Sequence, residues 1–241
     1  MTSFVLVHGA WHGGWCYSRV AKILRAAGNE VFTPTLTGLG ERSHLMRPDI
    51  NLDTHITDVL NVVRWEELSN VVLCGHSYGG IVVTGVADAI PDTTAAIVYL
   101  DAYVPRDGDS TMSFLPKERQ AMILRDAEQY DGIAVAPPAP ELYGVNRSDI
   151  EWVRGKLTPH PLGTLQQSIR LTGNHRKPKR TYVYAMGRKD SAPFYEMYRR
   201  DPTWTVHVMN SVGHNQMVDD PIVVADILIG AAQERPQAKP R

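Results

Sequence analysis

The clearest chemical pattern in the chain is Gly75-His76-Ser77-Tyr78-Gly79, a serine with a glycine two residues away on either side. A run of apolar β-branched residues leads into it and a helix-compatible apolar stretch leads out, so Ser77 falls on a tight strand-to-helix turn. Such a turn holds the serine in a strained backbone conformation. A Cβ two residues before or after it would clash, which accounts for Gly75 and Gly79, while Gly80 lets the following helix approach the strand. A serine hydroxyl at neutral pH is a weak nucleophile. It needs a neighbouring base, and the base needs an acid to orient it.

The base is sought after the last predicted strand, where NSVGHNQMVDDP places His214 in a short loop. The other histidines fit less well: His8, His12, His44 and His55 precede the serine, His76 lies within the turn, His160 and His175 fall in a long insertion, and His207 lies inside a strand. With the order serine, acid, histidine, the acid should end an intervening strand. Asp190, in the turn of TYVYAMGRKDSAPF, is favoured, and Asp101, at the tip of VYLDAYVP, is the rival. Two preorganised N–H groups are also required for the negative charge that develops on the attacked carbonyl. The backbone of Tyr78, next to the nucleophile, and that of Ala10, in HGAWHGGW, are the expected donors. The latter loop lacks both the Walker lysine and the G-x-G-x-x-G order of a phosphate cradle.

These residues must be carried by alternating elements. Strands are expected at Phe4–His8, Glu30–Pro34, Asn70–Cys74, Ala95–Asp101, Thr181–Met186 and Thr205–Met209, and helices at Trp15–Ala27, Leu52–Glu67, Gly79–Ile90, Pro193–Arg200 and Ile222–Glu234. Continuous apolar strands alternating with helices imply an α/β fold with a mostly parallel sheet covered on both faces. Between residues 104 and 178 no strand is evident and prolines fragment the chain, so a mostly helical cap is expected there within a single domain spanning 1–241. The tail RPQAKPR is expected to fray.

Composition narrows the partners. A formal charge of −1 and 43% hydrophobic residues in 241 favour neither nucleic acid nor an anionic membrane, and no apolar run approaches the roughly 18 residues needed to span a bilayer. The N-terminus lacks the basic start of a signal peptide, so a soluble, cytoplasmic protein is expected. Cys16 and Cys74 match no zinc or redox spacing and read as reduced thiols.

Taken together, FVLVHGAWHGGWCY, AAGNEVFTPTLTGLG, GHSYGG, AIVYLDAYVP and GHNQMVDDP resemble the α/β-hydrolases, in particular the small branch of hydroxynitrile lyases, methylesterases and bacterial esterases. The resemblance implies six parallel strands, the triad Ser77, His214 and Asp190, the oxyanion donors Ala10 and Tyr78, and no metal or organic cofactor. Lyases of this branch carry a threonine after the first histidine of the oxyanion loop and a lysine after the catalytic histidine. Here those places hold Gly9 and Asn215, which points toward ester hydrolysis. The expected substrate is a small, apolar or aryl ester, carbamates included, with Trp11 and Trp152 as substrate-binding residues and Tyr103, Phe114, Leu115 and Tyr143 near the pocket. A carbon–carbon lyase and a non-catalytic small-molecule receptor are the alternatives. A homodimer is expected on the same grounds.

Overall fold

A computed structural model describes residues 1–187, 191–210 and 212–233. Six strands, β1 (Ser3–Val7), β2 (Glu30–Phe32), β3 (Val71–His76), β4 (Thr94–Leu100), β7 (Lys179–Ala185) and β8 (Trp204–Met209), form one sheet in the order β2-β1-β3-β4-β7-β8. Every pairing in it is parallel. The central strands β1 and β3 are buried along their whole length, which is why they read as unbroken apolar runs.

Helices cover both faces. On one, α2 (Leu52–Trp65) and α3 (Gly79–Ala89) pack Leu52, Val59, Ile81 and Val82 onto Val5, Leu73 and Ile97. On the other, α1 (Ser18–Ala26) and α9 (Pro221–Gln233) pack Val20, Leu24, Val224 and Leu228 onto Phe4, Leu6 and Val98. Asn51 starts α2 with a reciprocal capping box to Thr54. The first turn of the expected helix at Trp15 is a 3-10 turn, Gly14–Tyr17, and α1 proper begins at Ser18.

Between β4 and β7 the chain forms α4 (Lys117–Ala127), α5 (Ile150–Arg154) and α6 (Leu162–Gln166). It also forms an antiparallel pair that the sequence did not announce, β5 (Ala134–Val135) with β6 (His160–Pro161). At two residues each these strands are too short for a periodic signal. After β7 come α7 (Ala192–Tyr198), and after β8 the short α8 (Gln216–Asp219). Because the sheet is parallel, the loops after β1, β3, β4 and β8 open on one edge, where the strands' carboxyl ends leave a crevice.

Candidate active site

Ser77 leaves β3 with φ 53°, a left-handed conformation that costs a non-glycine residue about 1–2 kcal/mol. The surroundings hold it there. Its N–H donates to Leu100 O (3.3 Å), and its carbonyl accepts from the N–H groups of Gly80 (3.0 Å) and Tyr103 (3.2 Å). A Cβ on Gly75 would lie 2.5 Å from Gly79 O, and one on Gly79 would lie 2.6 Å from Val7 O, so both glycines answer to backbone packing.

His214 lies in the loop after β8. Its Nδ1–H donates to Asp101 Oδ2 at 2.6 Å, and both side chains are buried. A carboxylate only accepts, so this bond fixes the tautomer in which Nε2 keeps its lone pair. Two further contacts seat the ring's backbone: its N–H donates to Tyr143 O (2.8 Å), and its carbonyl accepts from His76 Nε2 (2.9 Å). The carboxylate that meets Nδ1 thus stands at the end of β4, where the rival Asp101 was placed. Asp190, the favoured acid, lies outside the described residues. Asp101 takes up left-handed backbone (φ 45°), with its N–H on Val183 O at 2.8 Å, which turns the carboxylate under the histidine loop.

The two expected oxyanion donors flank Ser77. Neither the Ala10 nor the Tyr78 N–H donates to an acceptor among the described residues, and both residues line the same cavity as Ser77, Asp101 and His214. Tyr78 is anchored from beneath, its hydroxyl donating to His55 Nδ1 (2.8 Å) while His55 Nε2–H donates to Thr37 O (2.9 Å). The Ala10 loop is fixed by two imidazoles. His8 Nδ1–H donates to Gly9 O (2.8 Å) and accepts Leu36 N–H at Nε2 (3.0 Å). His12 Nδ1–H donates to Ala10 O (2.7 Å) and its Nε2 accepts from Asn215 Nδ2 (3.1 Å), joining the Ala10 loop to the residue after His214. Burial pushes His8 down to about 3 and both His12 and His55 to about 4, so these rings are neutral supports and not bases.

The cavity is about 710 Å³, of the size that holds a drug-like ligand. Trp11 lines it, with Nε1–H on Val135 O (3.1 Å), as do Tyr103, Phe114, Leu115 and Tyr143. Trp152 does not. It packs edge-on to Trp15 (5.1 Å between centroids) beneath Arg19, on the opposite face of the sheet, so its expected substrate role is withdrawn. The expectation failed because α5 folds down beside α1 instead of over the cavity. Missed in the sequence were Thr111 and Arg119, which also line the cavity and carry no motif that would single them out.

Two positions bear on lyase chemistry. A Cβ on Gly9 would lie 2.7 Å from His76 Nδ1 and 3.0 Å from Ser77 Cβ, leaving no room for a threonine. Asn215 is buried and committed to His12, so no cation stands beside His214 at that place. Among the described residues no group of three or more His, Cys, Asp or Glu is placed to hold a metal ion.

The model of the alpha/beta hydrolase family matches residues 4–227. The chain belongs to the α/β-hydrolase family. This α/β-hydrolase is 44% identical to a carbendazim hydrolyzing esterase of Nocardioides sp. (strain SG-4G), over 95% of the chain and 98% of that protein. It is 28% identical to the rice esterase PIR7B (Oryza sativa subsp. japonica), over 96% of each. Among solved structures it superposes on an extracellular alpha/beta-hydrolase from a Paenibacillus species with a TM-score of 0.83 at 19% identity, covering 97% of this chain and all of the other.

Proposed function

We propose that this α/β-hydrolase cleaves small carboxylic esters through an acyl-enzyme on Ser77, with His214 as the base and Asp101 as the acid that orients it. The observation that carries the reading is the 2.6 Å bond from His214 Nδ1–H to Asp101 Oδ2, at the edge of the cavity that also exposes Ser77. His214 Nε2 takes the Ser77 proton as Oγ attacks the ester carbonyl, and Asp101 stabilises the imidazolium. The Ala10 and Tyr78 N–H groups receive the oxyanion, each worth about 3 kcal/mol in the transition state. His214 then protonates the leaving alcohol and activates the water that releases the acid.

The segment 104–178 acts as the cap in this reading, since Thr111, Phe114, Leu115, Arg119, Ile123 and Tyr143 wall the cavity from above the sheet edge. The Nocardioides relative's name extends the substrate class to carbamate esters, because carbendazim is a methyl carbamate of an aryl amine. The aromatic wall of Trp11, Tyr103, Phe114 and Tyr143 suits such a flat ring.

The test compares wild type and Ser77→Ala on p-nitrophenyl acetate, p-nitrophenyl butyrate and carbendazim. Turnover by wild type and a loss of at least about a thousandfold in the variant are expected. Equal rates in the two proteins would sink the proposal.

A further inference from the structure

The cavity beside Ser77 is not uniformly apolar, and its polar groups are not all accounted for by ester cleavage. One wall comes from residues 111–123. Arg119 and Ile123 lie one turn apart on α4, so the guanidinium shares the face that carries the buried Ile123 side chain to the cavity, whereas Lys117 and Glu118 are exposed. Some arginines are paired with carboxylates, Arg19 with Asp149, Arg42 with Asp58 and Arg199 with Glu196. Arg119 has no ion-pair or hydrogen-bond partner among the described residues, and the only carboxylate lining the cavity among them, Asp101, is engaged by His214.

A second observation on the same wall is independent of the first. Thr111 is 6% exposed and lines the cavity, and its Oγ1 is buried with no hydrogen-bond partner among the described residues. A buried hydroxyl left unpaired costs about 1–3 kcal/mol, and rotation of the Thr111 side chain about χ1 would turn it from its enclosed position to an acceptor in the cavity. The scissile carbonyl is already provided for by Ala10 and Tyr78. A guanidinium and a hydroxyl that both lack acceptors therefore serve a different part of the substrate, and their common complement is an anionic oxygen acceptor.

We propose that the Thr111–Arg119 wall recognises a carboxylate remote from the scissile bond, so that the preferred substrates are half-esters: compact alkyl or aryl esters that carry a free carboxylate. The inference rests on the reading of Ser77 as the nucleophile of an ester hydrolase. The neighbouring Phe114, Leu115 and Ile123 side chains would flank the spacer between the two groups and exclude water from the ion pair.

The experiment sets monomethyl terephthalate against methyl 4-methylbenzoate, which has the same ring and ester but a methyl group in place of the carboxylate. At low ionic strength wild type should favour the charged ester by about tenfold or more in kcat/KM, as a charge-assisted contact implies. In Arg119→Gln that ratio should fall by at least about tenfold, with most of the loss in KM, and Arg119→Lys should restore part of it. Thr111→Val should lower the ratio by a smaller factor, about three- to tenfold. A ratio indifferent to Arg119→Gln overturns the carboxylate site while leaving the hydrolase intact. Binding to Ser77→Ala, read from tryptophan fluorescence, separates the two ideas. Equal Kd for the charged and neutral esters again overturns the site, whereas charge-selective binding without turnover by wild type upholds the site and overturns the hydrolase.

Discussion

Three residues at the site, Trp11, Ser77 and Asp101, adopt left-handed backbone, with φ of 64°, 53° and 45°. Strain of this kind, about 1–3 kcal/mol per residue, persists only where surrounding contacts hold it, and all three residues line one cavity. The placement of Ser77 and His214 on one cavity was legible because the glycine spacing and the loop after the last strand are local signals. The carboxylate that meets His214 Nδ1 was not, because Asp101 and Asp190 each follow a strand and the choice turns on which strand end lies beneath the histidine loop. That is a property of sheet order and of one turn, and neither is written in chain order. Asp101→Asn should leave His214 in the wrong tautomer and lower kcat by about 10⁴-fold, while Asp190→Asn should cost less than about tenfold. Measured kcat values for the two variants decide between them, and a larger loss at Asp190 would return the role to it.

At the scale of elements, all six strands of the main sheet and the helices on its faces could be read from apolar runs and helical periodicity, with ends shifted by at most three residues. The segment 104–178 was harder to read. Its strands are two residues long, and α5 turns away from the cavity, carrying Trp152 against Trp15. Long-range polar contacts tie such a segment down, and these leave no periodic trace. The clearest is Asp88 near the end of α3, whose carboxylate accepts from Thr172 N–H (2.7 Å) and Oγ1 (2.9 Å), Gly173 N–H (3.0 Å), and His175 N–H (3.0 Å) and Nδ1 (2.9 Å). Burial opposes ionisation of this carboxyl, but the bonds from Thr172 and His175 outweigh it and hold its pKa well below the usual range. It fixes the chain just before it enters β7. Asp88→Ala should therefore lower stability by about 3 kcal/mol, or roughly 6–12 °C in Tm, since several buried donors lose their acceptor at once. Calorimetry of the variant reads this directly, and a Tm within about 2 °C of wild type would mean that the anchor is dispensable.

The whole molecule carries a consequence of enclosing so many imidazoles. His8, His12, His55 and His160 are all buried, and burial pushes each below its ordinary value: His8 to about 3, His12 and His55 to about 4, and His160 well down. Each has backbone or side-chain partners that suit the neutral ring, such as Leu36 N–H on His8 and Trp11 N–H on His160. In the unfolded chain these groups titrate near 6.5. Below that pH the unfolded chain therefore binds protons that the folded chain refuses, so their contribution is fully present above pH 6.5 and is lost as the pH falls toward 4. Each ring contributes about 1.4 kcal/mol per pH unit in that window. Asp88, with its depressed pKa, adds its own loss only below the ordinary carboxyl value of 3.8, so the window from 6.5 to about 4 belongs mainly to the histidines. Unfolding free energies from urea titrations at pH 6, 5 and 4.5 should fall by at least about 2.7 kcal/mol per pH unit, the slope for two protons. His8→Asn should reduce that slope by about one proton. A wild-type slope below one proton would show that the rings charge without unfolding the protein, and so that the oxyanion loop they support rearranges more readily than its packing implies.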